Sequence, residues 1–145
     1  MADKPFRPVL GSVMWGQLAT RPDLSFAVSL LSRFQADPGI EHWNALMHVI
    51  GYIRNTMDHG LNYSRDSDLN PLAYVDTDYG GTLGSTSGYV FTMAGESVTW
   101  SSKRQATVAL STVEAEYVAM SRCAQQIVGC RRGWMRSRSS MICWG

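Results

Sequence analysis

The stretch Tyr74-Val75-Asp76-Thr77-Asp78-Tyr79-Gly80-Gly81 sets two carboxylates inside a strand-like alternation and then stops at paired glycines. Side chains of a strand alternate between faces, so Ala73, Val75 and Thr77 point one way and Leu72, Tyr74, Asp76 and Asp78 the other. Downstream, Tyr89 to Met93 and Ser97 to Ser101 are β-rich runs joined by Ala94-Gly95-Glu96, a hairpin signal. Ser111-x-x-Glu114 then makes a capping box, opening a helix that runs to about Val128. The reading is three antiparallel strands followed by one long helix.

Upstream of this stretch the period is helical. Residues 1–10, with Pro5, Pro8, Lys4 and Arg7, read as an extended lead-in. Gly11 to Ala19 allows a short helix weakened by Gly16. Thr20-Arg-Pro-Asp23 has the cap candidate, the first-turn proline and the acid of a helix start. The helix that follows would bury Leu24, Ala27, Val28, Leu31 and Phe34 on one face. A second begins near Glu41 and repeats Trp43, Leu46, Ile50, Ile53 and Met57 at spacings of three and four, stopping near His59-Gly60. Joined by a short loop, the two should pack as an antiparallel pair. Arg65-Asp-Ser-Asp-Leu-Asn-Pro71 is the clearest linker. The chain thus divides into a lead-in (1–10), a helical segment (11–64), a strand-and-helix unit (71–130) and a basic tail (131–145). The class is α/β, in the α+β sense.

Composition narrows the functional classes. The 145 residues carry 13 basic and 12 acidic side chains, so net charge favours no partner, but its distribution is uneven. No acid follows Glu116, whereas Arg122, Arg131, Arg132, Arg136 and Arg138 all do. Such a tail is either a solvated end or a phosphate-contacting one. Cys123, Cys130 and Cys143 show neither CxxC nor Cys/His spacing, which reads as a reduced, intracellular chain without a disulfide frame or zinc site. His42, His48 and His59 share no ligand spacing and suit surface or cap roles. No apolar run approaches the roughly 18 residues of a membrane span, so no membrane partner is expected.

The carboxylates carry the functional signal. Val113, Glu116, Met120, Cys123 and Ile127 recur at spacings of three and four, which puts Glu116 in the apolar row expected to face inward; Glu114 is used by the cap. Asp76 and Asp78 lie about 6.5–7 Å apart along one strand face. If the helix covers that face, Glu116 and Asp76 converge. Carboxylates brought together repel unless a cation sits among them, and hard oxygen ligands without His or Cys point to Mg²⁺ or Mn²⁺. A strand end followed by a turn, where aspartate is common, accounts for the pair equally well. Pattern alone leaves both readings standing.

Several motifs in fixed order add to this. Asp76-x-Asp78-Tyr79, Ser85-Thr-Ser-Gly-Tyr-Val-Phe91, Val98-x-Trp100-x-Ser-Lys103-x-Gln105 and Val108-Ala-Leu-Ser-Thr-x-Glu-Ala-Glu-Tyr117 together resemble the ribonuclease H domain of copia-type LTR retrotransposon polyproteins. Leu18-Ala-Thr-Arg-Pro-Asp23, Leu31-Ser-Arg-Phe34 and the segment from Glu41-His-Trp43 to Tyr52 resemble the connection between the reverse transcriptase and that domain. The resemblance implies a partial ribonuclease H-like fold whose family hydrolyses the RNA strand of RNA–DNA hybrids during reverse transcription. It implies Asp76 and Glu116 as catalytic, metal-binding carboxylates, with Mg²⁺ or Mn²⁺ activating water in a two-metal displacement. It implies an RNA–DNA hybrid as partner, met by Asp78, Ser85, Thr86, Lys103 and Gln105, and a reverse transcriptase domain as neighbour.

The chain departs from the family where it matters most. Two further acids are expected after Glu116 and none is present. Residues 129–145 do not follow the family, and the strand that would flank the Asp76 strand in parallel is missing, leaving that edge unpaired. The expectation is a catalytically incomplete ribonuclease H fragment. The alternatives are a non-catalytic remnant that binds nucleic acid or docks on a reverse transcriptase, and a remnant with no function.

Overall fold

Helix formation begins earlier than proline content suggests. The computed structural model describes residues 4–64, 67, 68, 70–80 and 84–141, with side chains described as far as Gly129. Helix α1 spans Phe6–Ala19, so the stretch read as an extended lead-in is helical from Phe6 onward. Pro8 is the third helical residue, where a missing N–H forfeits no intrahelical bond. The first such bond runs from the Val9 N–H to the Pro5 carbonyl at 3.2 Å. Burial of Phe6, Leu10 and Val13 then holds the helix in place.

The chain divides into two compact units, Met1–Leu72 with Val90–Lys103, and Ala73–Tyr89 with Arg104–Gly145. In the first, α1 packs with α2 (Ser25–Ser32) and α3 (Ile40–Asn55), so the expected helix pair is a three-helix cluster. Its core is Phe6, Leu10, Val13, Leu24, Val28, Leu31 and Leu46, flanked by half-buried Trp43, Ile50 and Ile53. These follow both stripes read from the sequence, except that Phe34 and Met57 lie beyond their helices and are exposed. Gly39 precedes α3, and His42 Nδ1 accepts the Gly39 N–H at 2.8 Å, which makes this histidine a cap.

The end of α3 departs from expectation. A left-handed Gly60 was expected to close it, but the helix stops at Asn55, and Gly60 is not among the positive-φ glycines. Arg21 does the closing instead. Its Nη1 donates to the Thr56 carbonyl at 3.0 Å and its Nη2 to Thr56 Oγ1 at 2.7 Å. A cation at a helix C-terminus meets both the orphan carbonyl and the dipole. The buried guanidinium is neutralised by Asp23, 2.7 Å away, and lies near the Tyr52 ring.

The strands form as expected: β1 (Leu72–Asp78), β2 (Thr86–Met93) and β3 (Glu96–Arg104), an antiparallel sheet in the order β1-β2-β3. The β2–β3 hairpin turns on Ala94 and Gly95, with φ of 57° and 85°. Two positive φ angles match the twist that a two-residue hairpin loop requires. Ala94 holds this conformation against its Cβ, and its N–H donates to the Asp68 carbonyl at 3.0 Å. Among the described residues β1 has β2 as its one neighbour, so its outer edge is unpaired.

The last helix, α4, spans Thr112–Met141. Ser111 Oγ accepts the Glu114 N–H at 3.1 Å, as the capping box requires, and Glu114 Oε2 accepts the Leu110 N–H at 2.7 Å. Its buried face is Ala115, Ala119 and Cys123, four residues apart. This corrects the inward stripe read from the sequence: Val113, Glu116, Met120 and Ile127 are exposed, and Cys123 alone of that row is buried. The reason lies in the surface beneath, where Thr77, Ser87 and Gln105 present polar groups. Gln105 Nε2 donates to the Ala115 carbonyl and to Ser87 Oγ, both at 2.8 Å, and Thr77 Oγ1 donates to the Ala115 carbonyl at 3.3 Å. Such an approach to helix backbone admits only a small side chain.

Candidate nucleic-acid interface

Thr77 settles which sheet face α4 covers, since its hydroxyl reaches the helix backbone. Alternation along β1 then turns Asp76 and Asp78 to the opposite face, where both are exposed. The convergence expected of Asp76 and Glu116 required α4 to lie over the aspartates. It lies over the threonine face instead, and Glu116 is exposed beside the buried Ala115. Asp76 Oδ1 accepts the N–H of Thr77 at 2.8 Å, a local bond that fixes one carboxylate oxygen near the backbone.

This geometry bears on the metal. A Mg²⁺ ion takes near-octahedral oxygen coordination and needs its ligands gathered in one place. Among the described residues no group of three or more His, Cys, Asp or Glu side chains is placed to hold a metal ion. The carboxylates present therefore do not fit a two-metal cage by themselves.

The expected hybrid contacts divide by exposure. Lys103 is exposed and Thr86 half-buried. Ser85 and Gln105 are buried, so neither presents its side chain at the surface. Gln105 instead braces the sheet against α4, and its backbone N–H donates to the Ser85 carbonyl at 2.7 Å. Ser85 Oγ and Gln105 Oε1 are buried with no hydrogen-bond partner among the described residues, an arrangement that native cores keep rare. Cys123 lies at the foot of the same helix face, and burial pushes its thiol pKa up, away from reactivity.

One residue that the sequence reading passed over lies close to this face. Arg104 closes β3, and its guanidinium lies over Gly84, whose φ is 83°. The strand alternation contained the signal: with Gln105 facing α4, Arg104 turns to the side of Asp76 and Asp78. Among the described residues no helix is long and apolar enough to cross a membrane.

No family model and no solved structure matches the chain significantly. Curated relatives do. Secreted RxLR effector protein 161 of Plasmopara viticola is 41% identical over 131 residues, covering 88% of this chain and 92% of that protein. The retrovirus-related Pol polyprotein from transposon TNT 1-94 of Nicotiana tabacum is 38% identical over 135 residues, 91% of this chain and 10% of the polyprotein. That from transposon RE2 of Arabidopsis thaliana is 37% identical over 125 residues, 84% of this chain and 8% of the polyprotein. The chain therefore spans nearly all of the first relative and about a tenth of the other two.

Proposed function

Because the chain belongs to the copia-type retrotransposon Pol polyproteins, we propose that it is the part of such a polyprotein that joins the reverse transcriptase to the ribonuclease H domain and opens that domain. In this reading α1 to α3 form the connection. The sheet and α4 form the first half of a nuclease fold that holds an RNA–DNA hybrid. Asp76 and Glu116 are the carboxylates that the resemblance assigns to catalysis, but with α4 over the face opposite Asp76 they do not converge on one metal centre in this chain. Because the residues present do not make a cage, no hydrolytic step is assigned to the chain alone; its own function is to hold the hybrid without cutting it.

The observation that carries this reading is the exposure of Asp76 and Asp78 on the sheet face that α4 leaves uncovered. The test is to incubate the chain with a labelled RNA–DNA hybrid and Mg²⁺, following binding by anisotropy and cleavage by gel. Binding with an intact RNA strand is expected. Cleavage that Asp76→Asn abolishes would overturn the incompleteness, and absence of binding would overturn the hybrid as ligand.

A second reading has its own observation. The relative that this chain matches almost end to end is named an effector, not a polyprotein. A stand-alone, non-catalytic product of the same fold is therefore the alternative, with nucleic-acid binding or docking on a reverse transcriptase as its activity. Its signature would be binding unchanged by Asp76→Asn and lost on neutralising Arg131, Arg132, Arg136 and Arg138.

A further inference from the structure

Helix α4 has two faces of opposite character. Ala115, Ala119 and Cys123 are buried, and Thr77 and Gln105 reach the helix backbone on the side they share. On the other side Val113, Tyr117, Met120, Ala124 and Ile127 recur at spacings of four, three, four and three, and all five are exposed. With 3.6 residues per turn, this row stands about 120° from the centre of the buried one. Packing on Thr77 and Gln105 therefore leaves it open.

A spacing that averages 3.5 residues is that of a coiled-coil seam, in which side chains of one helix enter holes in another. Charge identifies the partner. Glu114 and Glu116 stand at the start of α4, no acid follows them, and Arg122, Arg131 and Arg132 come after. Two copies of the helix laid antiparallel set each acidic start beside the other's basic end and oppose their dipoles, whereas parallel copies would set like against like. With the two-fold axis level with residue 122, Tyr117 of each copy meets Ile127 of the other, and Met120 meets Ala124. The row thus complements itself, as an isologous interface requires.

We propose that the outward row of α4 is a homodimer interface, in which α4 packs antiparallel on α4 of a second copy of this chain. At 1.5 Å per residue the row is about 21 Å long, roughly two heptads, a weak interface half associated at roughly 10–100 μM. Asp76 and Asp78 lie on the sheet face that α4 does not cover, so pairing through α4 leaves them exposed. The proposal is independent of what that face holds.

The experiment is analytical ultracentrifugation of the full chain, without nucleic acid, from about 1 to 300 μM. The weight-average mass should rise from that of one chain toward that of two. Tyr117→Asp combined with Ile127→Asp should hold the chain monomeric throughout with an unchanged circular dichroism spectrum, since both side chains are exposed on a single copy. Arg131→Glu combined with Arg132→Glu sets acid against acid and should weaken association about fivefold; adding Glu116→Lys should restore part of it. A chain that stays monomeric at every concentration overturns the proposal and leaves the row to a partner of another sequence. Association that the Tyr117 and Ile127 substitutions leave unchanged lies elsewhere on the surface and overturns it as well. If reversing Arg131 and Arg132 strengthens association or has no effect, the antiparallel pairing is overturned. Mass that grows beyond two chains rules out a closed two-fold interface and overturns it too.

Discussion

The three-helix cluster and the region where α4 meets Thr77, Ser87 and Gln105 solve the same packing problem with opposite results. Around α1 to α3, seven large apolar side chains bury one another, and the buried charge is matched at every turn: Arg21 meets Asp23, the Thr56 carbonyl and the Thr56 hydroxyl. In the strands, their connections and α4, the buried side chains are Phe91, alanines, serines, a cysteine and a glutamine, and Ser85 Oγ and Gln105 Oε1 have no hydrogen-bond partner among the described residues. The larger apolar side chains of α4 (Val113, Tyr117, Met120 and Ile127) face outward. The first region has a contiguous apolar core, although Trp15, Leu18 and Phe26 on its helices are exposed. The second is held largely by small side chains and by polar bonds to the α4 backbone.

The strongest way to break this contrast is to cut the two cores in parallel. Leu46→Ala should cost about 3 kcal/mol by denaturant unfolding, from lost burial and the cavity left behind. Met120→Ala, at an exposed position of α4, should stay within about 0.5 kcal/mol. If the two losses are equal, α4 has a packed apolar face after all and the contrast fails. Next, Arg21→Ala should cost on the order of 2–3 kcal/mol, because it strands Asp23 and the α3 terminal carbonyl together. Native-state hydrogen exchange should locate that loss in α3 and leave the amides of Ala115 to Cys123 unchanged.

Gln105→Ala tests the other side, removing its side-chain bonds to Ser87 and to the Ala115 carbonyl. A loss of about 1–2 kcal/mol is expected, confined in exchange experiments to β2 and α4. Acid sharpens the comparison further. The hydrogen bond from the Arg21 guanidinium holds the Asp23 carboxyl below its ordinary pKa, against the opposing effect of burial. A depressed folded pKa contributes stability that is complete above the unfolded value of about 3.9 and is lost as pH falls through the folded one. The helical segment should therefore weaken below about pH 4, and Asp23→Asn should flatten that part of the melting-temperature profile. One substitution should give a gain: Ala94→Gly removes the Cβ from a positive-φ position and should stabilise the hairpin by about 0.5–1 kcal/mol.

Features whose physics is local could be read without a structure. Ser111 and Glu114 cap α4 because their spacing alone puts hydroxyl and amide in reach. Ala94-Gly95 turns the hairpin because a two-residue loop demands it. Asp76 and Asp78 share a face because strands alternate. The apolar row on α4 was misleading for an equally physical reason. Hydrophobic periodicity reports the wish of a helix to bury one face, and it names the buried face only when the partner surface is apolar. Here the partner is Thr77, Ser87 and Gln105, which lie 38, 28 and 10 residues away from Ala115 by number, and the short bonds they make select alanine.

By itself the sequence determined the elements, their order, the hairpin, the cap and the two apolar helix stripes of the N-terminal segment, since all of these follow from neighbours within one or two turns of chain. Three things were decided only by tertiary structure. Helix α1 starts before Pro8 because Phe6 is buried, which no local propensity announces. The end of α3 is closed by Arg21, 35 residues upstream of Thr56, and not by the nearby glycine. The side of the sheet that α4 covers leaves Asp76, Asp78 and Arg104 on the uncovered face, because polar groups at the sheet surface could be satisfied only by helix backbone brought close over alanine.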